Sequence, residues 1–444
     1  MPKLLKKFEG LLKYSLAAVL IAVPLYPKFP FIRIPGTYVS VRLEDFLLLA
    51  LTVIFATIFF KELPKLLKNR LEFSVGVFIF VGLVSLISGI FLTQTVPPLL
   101  GTLNWLRRIE YFVPFVMGLL YFKRYGGEDL EFFLKVIMAV ILAAFIYGLG
   151  QKYLTWPVII TQNEEYAKGV ALRWIPGSHI NSTFAGHYDL ATFLVFFLPF
   201  AISQLFLLKG FWTKLALSGV VGAGLWLLAN AVSRISIVSY LLAAVVTLLL
   251  IKKYKAIFMV LLVSLIFFIL SGTLLSRYRQ IISVIFAAEE SSFPQRINQT
   301  NISKQTISVF EDRSMSIRLN VEWPRALRAF AKNPVLGTGY TSITLATDND
   351  FLRLLGEVGL LGFLAFTFVL INLGSLIRRI LAKLGSLPAV EQGFIAAYTG
   401  GLMGVLLNSL FIDIFEASKF AIVFWLITGM FVALVRKHIY AENN

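Results

Sequence analysis

The sequence has no cysteine, three histidines and few charged residues. The missing Cys excludes a disulfide scaffold, a thiol nucleophile and a Cys-ligated metal site, and three His leave little for a His-rich one. Charged residues make up 15% of the 444-residue chain, whereas a soluble domain carries about 25%. The sequence therefore excludes the two or three soluble domains that its length alone would suggest.

Apolar residues are correspondingly frequent. They form 58% of the chain, including 41 Phe, and a bilayer core of about 30 Å needs about 20 of them per helix. This spacing predicts an all-α polytopic membrane bundle of about 12 transmembrane helices. The predicted spans lie near 11–25, 43–60, 73–93, 106–122, 131–150, 189–208, 212–230, 233–251, 256–272, 351–376, 391–410 and 419–436. We expect the first span to be retained, because no small-residue cleavage site follows it.

Basic residues in the short loops indicate the orientation. Every second connection is basic, beginning with Lys61, Lys65, Lys68 and Arg70. Since Lys and Arg collect on the cytoplasmic side, both termini are expected there. Two outward segments are long, 151–188 and 273–350. The predicted organisation is thus 1–272 with nine spans and an outer loop, 273–350 as a large, mainly helical outer segment, and 351–444 with three spans and a cytoplasmic tail.

Arginine is concentrated on the predicted outer face. By sequence, the inner face holds 16 Lys and 5 Arg, and the outer face holds 6 Lys and 14 Arg. Positive charge on the inner face follows from membrane topology, but the Arg residues on the outer face need another explanation. They either pair with lipid headgroups and scattered acidic residues or bind a dedicated ligand. The guanidinium fork matches phosphate and carboxylate better than an ammonium does. The outer face is therefore predicted to bind an anion.

Some of these Arg residues stand in unusual places. Arg234 begins an otherwise uncharged span, where an Arg close to hydrocarbon needs a partner or a ligand. Arg107 and Arg108 precede Glu110, with which one of them could pair. Arg173 lies beside Trp174 in the first outer loop, where an aromatic ring could stack on a sugar or on the guanidinium.

The second outer segment contains an amphipathic pattern from Ser314 to Lys332. Its apolar residues recur at spacings of 4, 4 and 3, and its basic residues Arg318, Arg325 and Lys332 recur at 7 and 7. This predicts a helix whose apolar stripe rests on the membrane or on other helices, with Pro324 kinking it or starting a second helix. The basic stripe is either an anion-binding surface or a solvated face.

The motifs that follow resemble a known family. The residues concerned are Arg318 through Trp323, Pro334, Gly337, Gly339, Asn349, Leu352, Glu357, Gly359 and Gly362, with Val41–Asp45, Ser182–Phe184, Leu190–Ala191 and Ser233–Arg234 earlier in the chain. In this order they resemble the O-antigen ligase and polymerase family, integral-membrane glycosyltransferases of bacterial surface-polysaccharide assembly.

The resemblance implies an enzyme that transfers a glycan from an undecaprenyl-pyrophosphate donor to an acceptor sugar hydroxyl, on the outer side of the bacterial inner membrane. The acceptor is a lipid-linked repeat unit in polymerases and lipid A core in ligases. By this resemblance, Arg173, Arg234 and Arg318 correspond to the family's pyrophosphate-binding residues. The family's catalytic His position falls on Asp348, and this departure favours a polymerase over a ligase.

The chemistry of the residues agrees with this assignment. Arg318 would stabilise charge on the leaving pyrophosphate, and Asp348 would act as base on the acceptor hydroxyl, in one inverting displacement. Secondary candidates are Arg107, Arg108, Arg325, Asn349 and His187. We expect no metal and no cofactor, although Asp348 and Asp350 form an Asp-x-Asp string that could hold a cation in an extended turn.

Transport is the alternative from another class. Twelve spans with both termini inside are a common transporter layout, so a flippase for lipid-linked oligosaccharides has to be considered. The sequence shows no matching halves, and its outward Arg residues favour a transferase. Nucleic acid is not an expected partner, because the basic residues are spread over both membrane faces. The expected partners are the lipid-linked donor, the acceptor glycan and membrane lipids.

Overall fold

The computed structural model describes residues 3–27, 31–158, 179–270, 313–344 and 346–440. Apart from loops and a short antiparallel ribbon of β1 (Ile32–Arg33) and β2 (Ser40–Val41), this part of the chain is helical. The helices are α1 (Lys3–Leu25), α2 (Leu43–Ile58), α3 (Leu63–Leu66), α4 (Arg70–Phe91), α5 (Pro98–Tyr125), α6 (Leu130–Tyr153), α7 (His187–Leu207), α8 (Phe211–Ala231), α9 (Arg234–Leu250), α10 (Tyr254–Leu270), α11 (Arg313–Ile317), α12 (Trp323–Lys332), α13 (Asp350–Leu381), α14 (Ala389–Asn408) and α15 (Ser418–Tyr440). A π-helical turn, Arg318–Glu322, joins α11 to α12, and short 3-10 turns lie at Leu384–Ser386 and Ile414–Glu416.

Each of the twelve predicted spans lies on one of these helices. Seven of the described helices are long and apolar enough to cross a membrane, namely α4, α6, α7, α8, α13, α14 and α15. Three shorter apolar helices cover Gly10–Leu25, α9 and α10. The all-α membrane class is therefore confirmed, whereas the count of twelve spans, their orientation and the division at 272 and 350 stay predictions.

The core is centred on α15, whose apolar segment is buried along its whole length. It packs along α5, where Gly429 meets the backbone of Phe115 and Gly118 meets the backbone of Leu426. Small residues let two helices approach this closely, and such contacts hold helices together in a membrane where apolar burial alone does not.

A kink in α13 brings the outer segment onto the bundle. Gly359 has φ +75°, and an added Cβ would collide with the backbone of Gly337. Around the kink, main-chain N–H groups of Thr338 and Gly339 donate to carbonyls of α13 at 3.0 and 2.8 Å, and the N–H of Leu360 donates to the carbonyl of Pro334 at 2.8 Å. These bonds replace those that the kink removes from the helix, and they fix the outer segment against α13.

The predicted amphipathic helix is present as α11, the π-turn and α12. Pro324 lies in the first turn of α12, directly after the π-turn, so the helix changes its hydrogen-bond pattern near the residue at which a kink or a second helix was predicted. Ala326 is buried against α13, while Leu319 and Leu327 are 51% and 49% exposed. That the exposed apolar residues rest on a membrane stays a prediction. Residues 273–312 lie outside the described residues.

Candidate active site

Asp348 lies in the loop that leads into α13, with its side chain 15% exposed. Its φ of +49° places it in the left-handed region, which few non-glycine residues adopt. Asp, Asn and His are the enriched exceptions. The backbone at this position therefore accommodates both the Asp found here and the His that the family resemblance implies.

Asn349 caps α13 directly after Asp348. Its Oδ1 accepts a hydrogen bond from the N–H of Leu352 at 2.9 Å, and its Nδ2 donates to the carbonyl of Leu410 at 3.0 Å. Asn at an N-cap satisfies one of the orphan donors of a helix start. Asn349, a secondary candidate from the sequence, thus positions the loop in this structure.

Asp413 holds the backbone on both sides of Asp348. Its Oδ2 accepts from the N–H of Thr347 at 2.8 Å, and its Oδ1 accepts from the N–H of Asn349 at 2.9 Å. The residue is fully buried. This arrangement links the α14–α15 connection to the loop before α13, and it places a negative charge under Asp348.

Arg318 contacts Asp348 from the π-turn of the outer segment. Its Nη2 donates to Oδ2 of Asp348 at 2.6 Å, and only 7% of Arg318 is exposed. Tyr188, in the first turn of α7, also interacts with this guanidinium. Single π-turns inside helices occur frequently at functional sites. Three separate elements therefore meet at Arg318.

The environment adjusts the proton affinity of Asp348. Burial and the charge of Asp413 raise the pKa of Asp348 to about 6, against the opposing effect of Arg318. A general base works best when its pKa lies close to the operating pH. Asp348 is thus ionised at neutral pH and still basic enough to accept a proton.

Glu322 is a second carboxyl at this site, and the sequence analysis missed it. It lies four residues after Arg318, and burial together with the charges of Asp348 and Asp413 raises its pKa to about 7. Its Oε2 is buried and has no hydrogen-bond partner within the described ranges. The spacing of four was visible in the sequence, but it did not show which face of the helix turns inward.

Below Asp413 lies a buried network that includes Arg353, another residue that the sequence analysis did not single out. Arg353 contacts Asp413 at 2.6 Å, Glu416 at 3.2 Å and Glu357 at 3.6 Å. It is 5% exposed. A buried carboxylate needs such a partner, because removal of one charge leaves the other uncompensated. Arg353 therefore holds Asp413 in place.

The Asp-x-Asp string does not form one site. Asp350 accepts hydrogen bonds from the N–H groups of Ile414 and Phe415, at 3.0 and 3.3 Å to its nearest oxygens. Asp348 instead contacts Arg318. The two carboxylates thus have different partners, and both help to connect the loop before α13 with its surroundings.

Arg107 and Arg108 lie near the start of α5 and contact acids of other elements. Arg108 pairs with Glu416 and donates to the carbonyl of Phe415 at 2.8 Å. Arg107 lies 3.9 Å from Asp45 and donates to the carbonyl of Ser40 at 3.3 Å. These contacts give both residues a structural role, and their suggested role in binding stays a prediction.

The remaining predicted residues are spread around the site. Arg325 is half-buried on α12, with an Nη1 that has no hydrogen-bond partner among the described residues, whereas Lys332 is exposed. Exposure therefore increases along the predicted stripe from Arg318 to Lys332. His187 begins α7 beside Tyr188, with its ring centroid 4.0 Å from that of His179.

Arg318 is the predicted pyrophosphate ligand that contacts Asp348 in the described part of the chain. Arg234 is exposed at the first residue of α9. Arg173 lies outside the described residues. The roles of all three in binding pyrophosphate stay predictions.

Comparison with known proteins adds one match. Residues 219–367 match the family model described as O-antigen ligase. This range is about a third of the chain and includes Arg234, Arg318, Glu322 and Asp348. No curated protein matches the chain. The resemblance predicted from the sequence is thus confirmed, and over residues 219–367 this membrane protein is similar to the O-antigen ligase family.

Proposed function

We propose that this protein is a metal-independent, inverting glycosyltransferase of surface-polysaccharide assembly in the bacterial inner membrane. It transfers a glycan from an undecaprenyl-pyrophosphate donor to a sugar hydroxyl on the outer side. The observation that supports this most directly is the buried contact of 2.6 Å between Arg318 and Asp348. It joins a guanidinium, which would bind phosphate, to a carboxylate that would act as the base.

Arg318 would bind the pyrophosphate of the donor. A guanidinium has five N–H donors, and in this structure it contacts both Asp348 and Tyr188. Donors that these contacts do not use would bind phosphate oxygens as negative charge develops on them. Preorganised donors of this kind are commonly the largest single contribution to catalysis. Arg325, whose Nη1 is unsatisfied among the described residues, is a second cation on the same helical segment.

Asp348 would take the proton of the acceptor hydroxyl. As the hydroxyl oxygen bonds to the anomeric carbon of the donor, the bond from that carbon to the pyrophosphate oxygen breaks. Undecaprenyl pyrophosphate leaves with the bonding electrons, and the proton moves to Oδ1 or Oδ2 of Asp348 and then to water. One displacement from the opposite face inverts the anomeric configuration.

The polymerase reaction is favoured over the ligase reaction by one residue. The resemblance implies a His at this position in ligase-like members, and this chain has Asp348. A carboxylate whose pKa is about 6 can perform the same proton transfer. We therefore expect a second lipid-linked repeat unit to be the acceptor.

The test is a gel assay with full-length protein in vesicles, given a lipid-pyrophosphate-linked oligosaccharide in the presence of a metal chelator. A ladder of longer lipid-linked glycans, lost in Arg318→Ala and Asp348→Ala, would support the polymerase. Transfer to added lipid A core without a ladder would establish the ligase instead. Movement of intact donor across the membrane, with neither product, would replace the transferase by a flippase.

A further inference from the structure

A basic cavity lies at the other end of α13, far from Asp348. It has a volume of about 390 Å³ and lies between the start of α4 and the last turns of α13 and α15. Small-molecule sites have volumes of about 300 to 1,000 Å³. Ser375 lines the cavity, whereas Asp350 begins the same helix. At about 1.5 Å per residue, roughly 35 Å of helix separates the two sites.

The cavity carries uncompensated positive charge. Lys68, Arg70 and Arg379 line it, and no ion pair involves any of them within the described part of the chain. A fourth cation, Arg436, is already paired with both carboxylate oxygens of Glu72. Three positive charges therefore face one concave space, which favours an anion as its occupant.

Polar groups of the wall suit an anion with several oxygens. Ser375 and Tyr440, whose side chains carry hydroxyl groups, also line the cavity. Hydroxyl and guanidinium donors are the usual partners of phosphate oxygens, and Arg can bind two of them at once. The chemistry of the cavity thus fits a phosphate group.

Exposed apolar residues directly precede two residues of the lining. Leu67 comes before Lys68 and Ile371 before Asn372, and they are 59% and 62% exposed. In a membrane protein such side chains face acyl chains. A free inorganic anion would gain nothing from them, whereas an amphipathic ligand would use both parts of the site.

We propose that this cavity binds the phosphodiester headgroup of an anionic phospholipid, with the acyl chains against Leu67 and Ile371. Basic pockets between membrane helices bind anionic headgroups in this way. The site is independent of the proposed transferase chemistry, because it shares no residue with the region around Asp348. It would anchor one end of α13 in an anionic leaflet.

The experiment measures lipid retention. Full-length protein is extracted from vesicles of equal parts phosphatidylcholine and phosphatidylglycerol, and bound lipid is counted by native mass spectrometry. The test variant is Lys68→Gln/Arg70→Gln/Arg379→Gln. The control, Lys61→Gln/Lys65→Gln/Arg378→Gln, removes the same charge from exposed residues that do not line the cavity.

We expect the wild type and the control to retain phosphatidylglycerol. In the test variant the amount of retained phosphatidylglycerol should fall at least about tenfold, since each cation contributes to headgroup binding. If the test variant and the control retained the same amount of phosphatidylglycerol, the proposal would be overturned, because general surface charge would then explain lipid binding. A second arm adds inorganic phosphate to protein in pure phosphatidylcholine vesicles. Thermal stabilisation by phosphate as large as that by phosphatidylglycerol would overturn the lipid assignment. Should the triple variant fail to fold, Arg379→Gln alone, at an exposed position, replaces it.

Discussion

Asp413 holds Asp348 in position through the backbone, because it accepts hydrogen bonds from the N–H groups of Thr347 and Asn349, the residues before and after Asp348. The same carboxylate raises the pKa of Asp348 through its charge. One buried residue, 65 positions later in the chain, therefore controls both the geometry and the proton affinity of the proposed base.

This relationship predicts a pH profile. The rate of glycan transfer should rise as Asp348 deprotonates, with a midpoint near pH 6, and then level off. In Asp413→Asn the negative charge is lost, so the pKa of Asp348 falls and the midpoint should move to lower pH. Initial rates from pH 4.5 to 8 measure this. An unchanged or higher midpoint in the variant would contradict the assigned coupling, because a purely structural loss lowers the rate without moving the midpoint.

Two substitutions of Asp348 distinguish a role as general base from a purely structural role. Asp348→Asn keeps the shape and tolerates the left-handed backbone, yet it cannot accept the proton, so the rate should fall by about 10²- to 10⁴-fold. Asp348→His restores a base of the type that the family resemblance implies, and it should recover much of the loss. Kinetics of the purified variants at pH 7.5 provide the measurement. Equal activity of Asp348→Asn and wild type would exclude Asp348 as the base.

Arg318 should contribute through the transition state. Arg318→Gln removes the charge next to Asp348, and we expect kcat to fall by about 10²- to 10³-fold, as for loss of one preorganised donor. Arg328→Gln is the matched control, since Arg328 is exposed on α12. A similar loss in both variants would indicate a general effect of positive charge near the membrane.

Glu322 should act on acceptor binding. Its buried Oε2 has no partner among the described residues, so a sugar hydroxyl could donate to it. In Glu322→Gln the amide oxygen still accepts, and we expect a KM for the acceptor within about threefold of wild type. In Glu322→Ala the KM should rise by about tenfold, since a lost hydrogen bond is worth about 1 kcal/mol or more. A fall in kcat alone, with KM unchanged, would contradict this role.

The kink at Gly359 should be essential for stability. An alanine there would adopt φ +75° and collide with the backbone at Gly337, so Gly359→Ala should lower the unfolding temperature in detergent. With ψ −173° this backbone region is essentially restricted to glycine, and the conformational cost alone is about 1 to 3 kcal/mol. Gly374→Ala, on the same helix with open space around its Cα, is the control and should be neutral or slightly stabilising. Equal melting of both variants would show that the kink is not strained.

The helices of this protein could be predicted from its sequence, because their signals are local. A run of about 20 apolar residues, and a spacing of three and four in 314–332, act over one helix and need no knowledge of its neighbours. An irregularity of the helix at Pro324 could be predicted for the same reason, since the missing N–H is a property of that residue.

The site depends on contacts that local patterns do not contain. The motif placed Arg318 and Asp348 in one family pattern, but it did not show that they are in contact. Nor did it show that Glu322 turns inward or that Arg353 is buried against Asp413. These findings depend on how the chain packs. These residues come from the outer segment, from α13 and from the α14–α15 connection. Composition and hydropathy along the sequence thus determined a helical membrane protein. Only the tertiary structure decided which charges are buried together, because the desolvation and pairing of a charge depend on side chains that are distant in sequence.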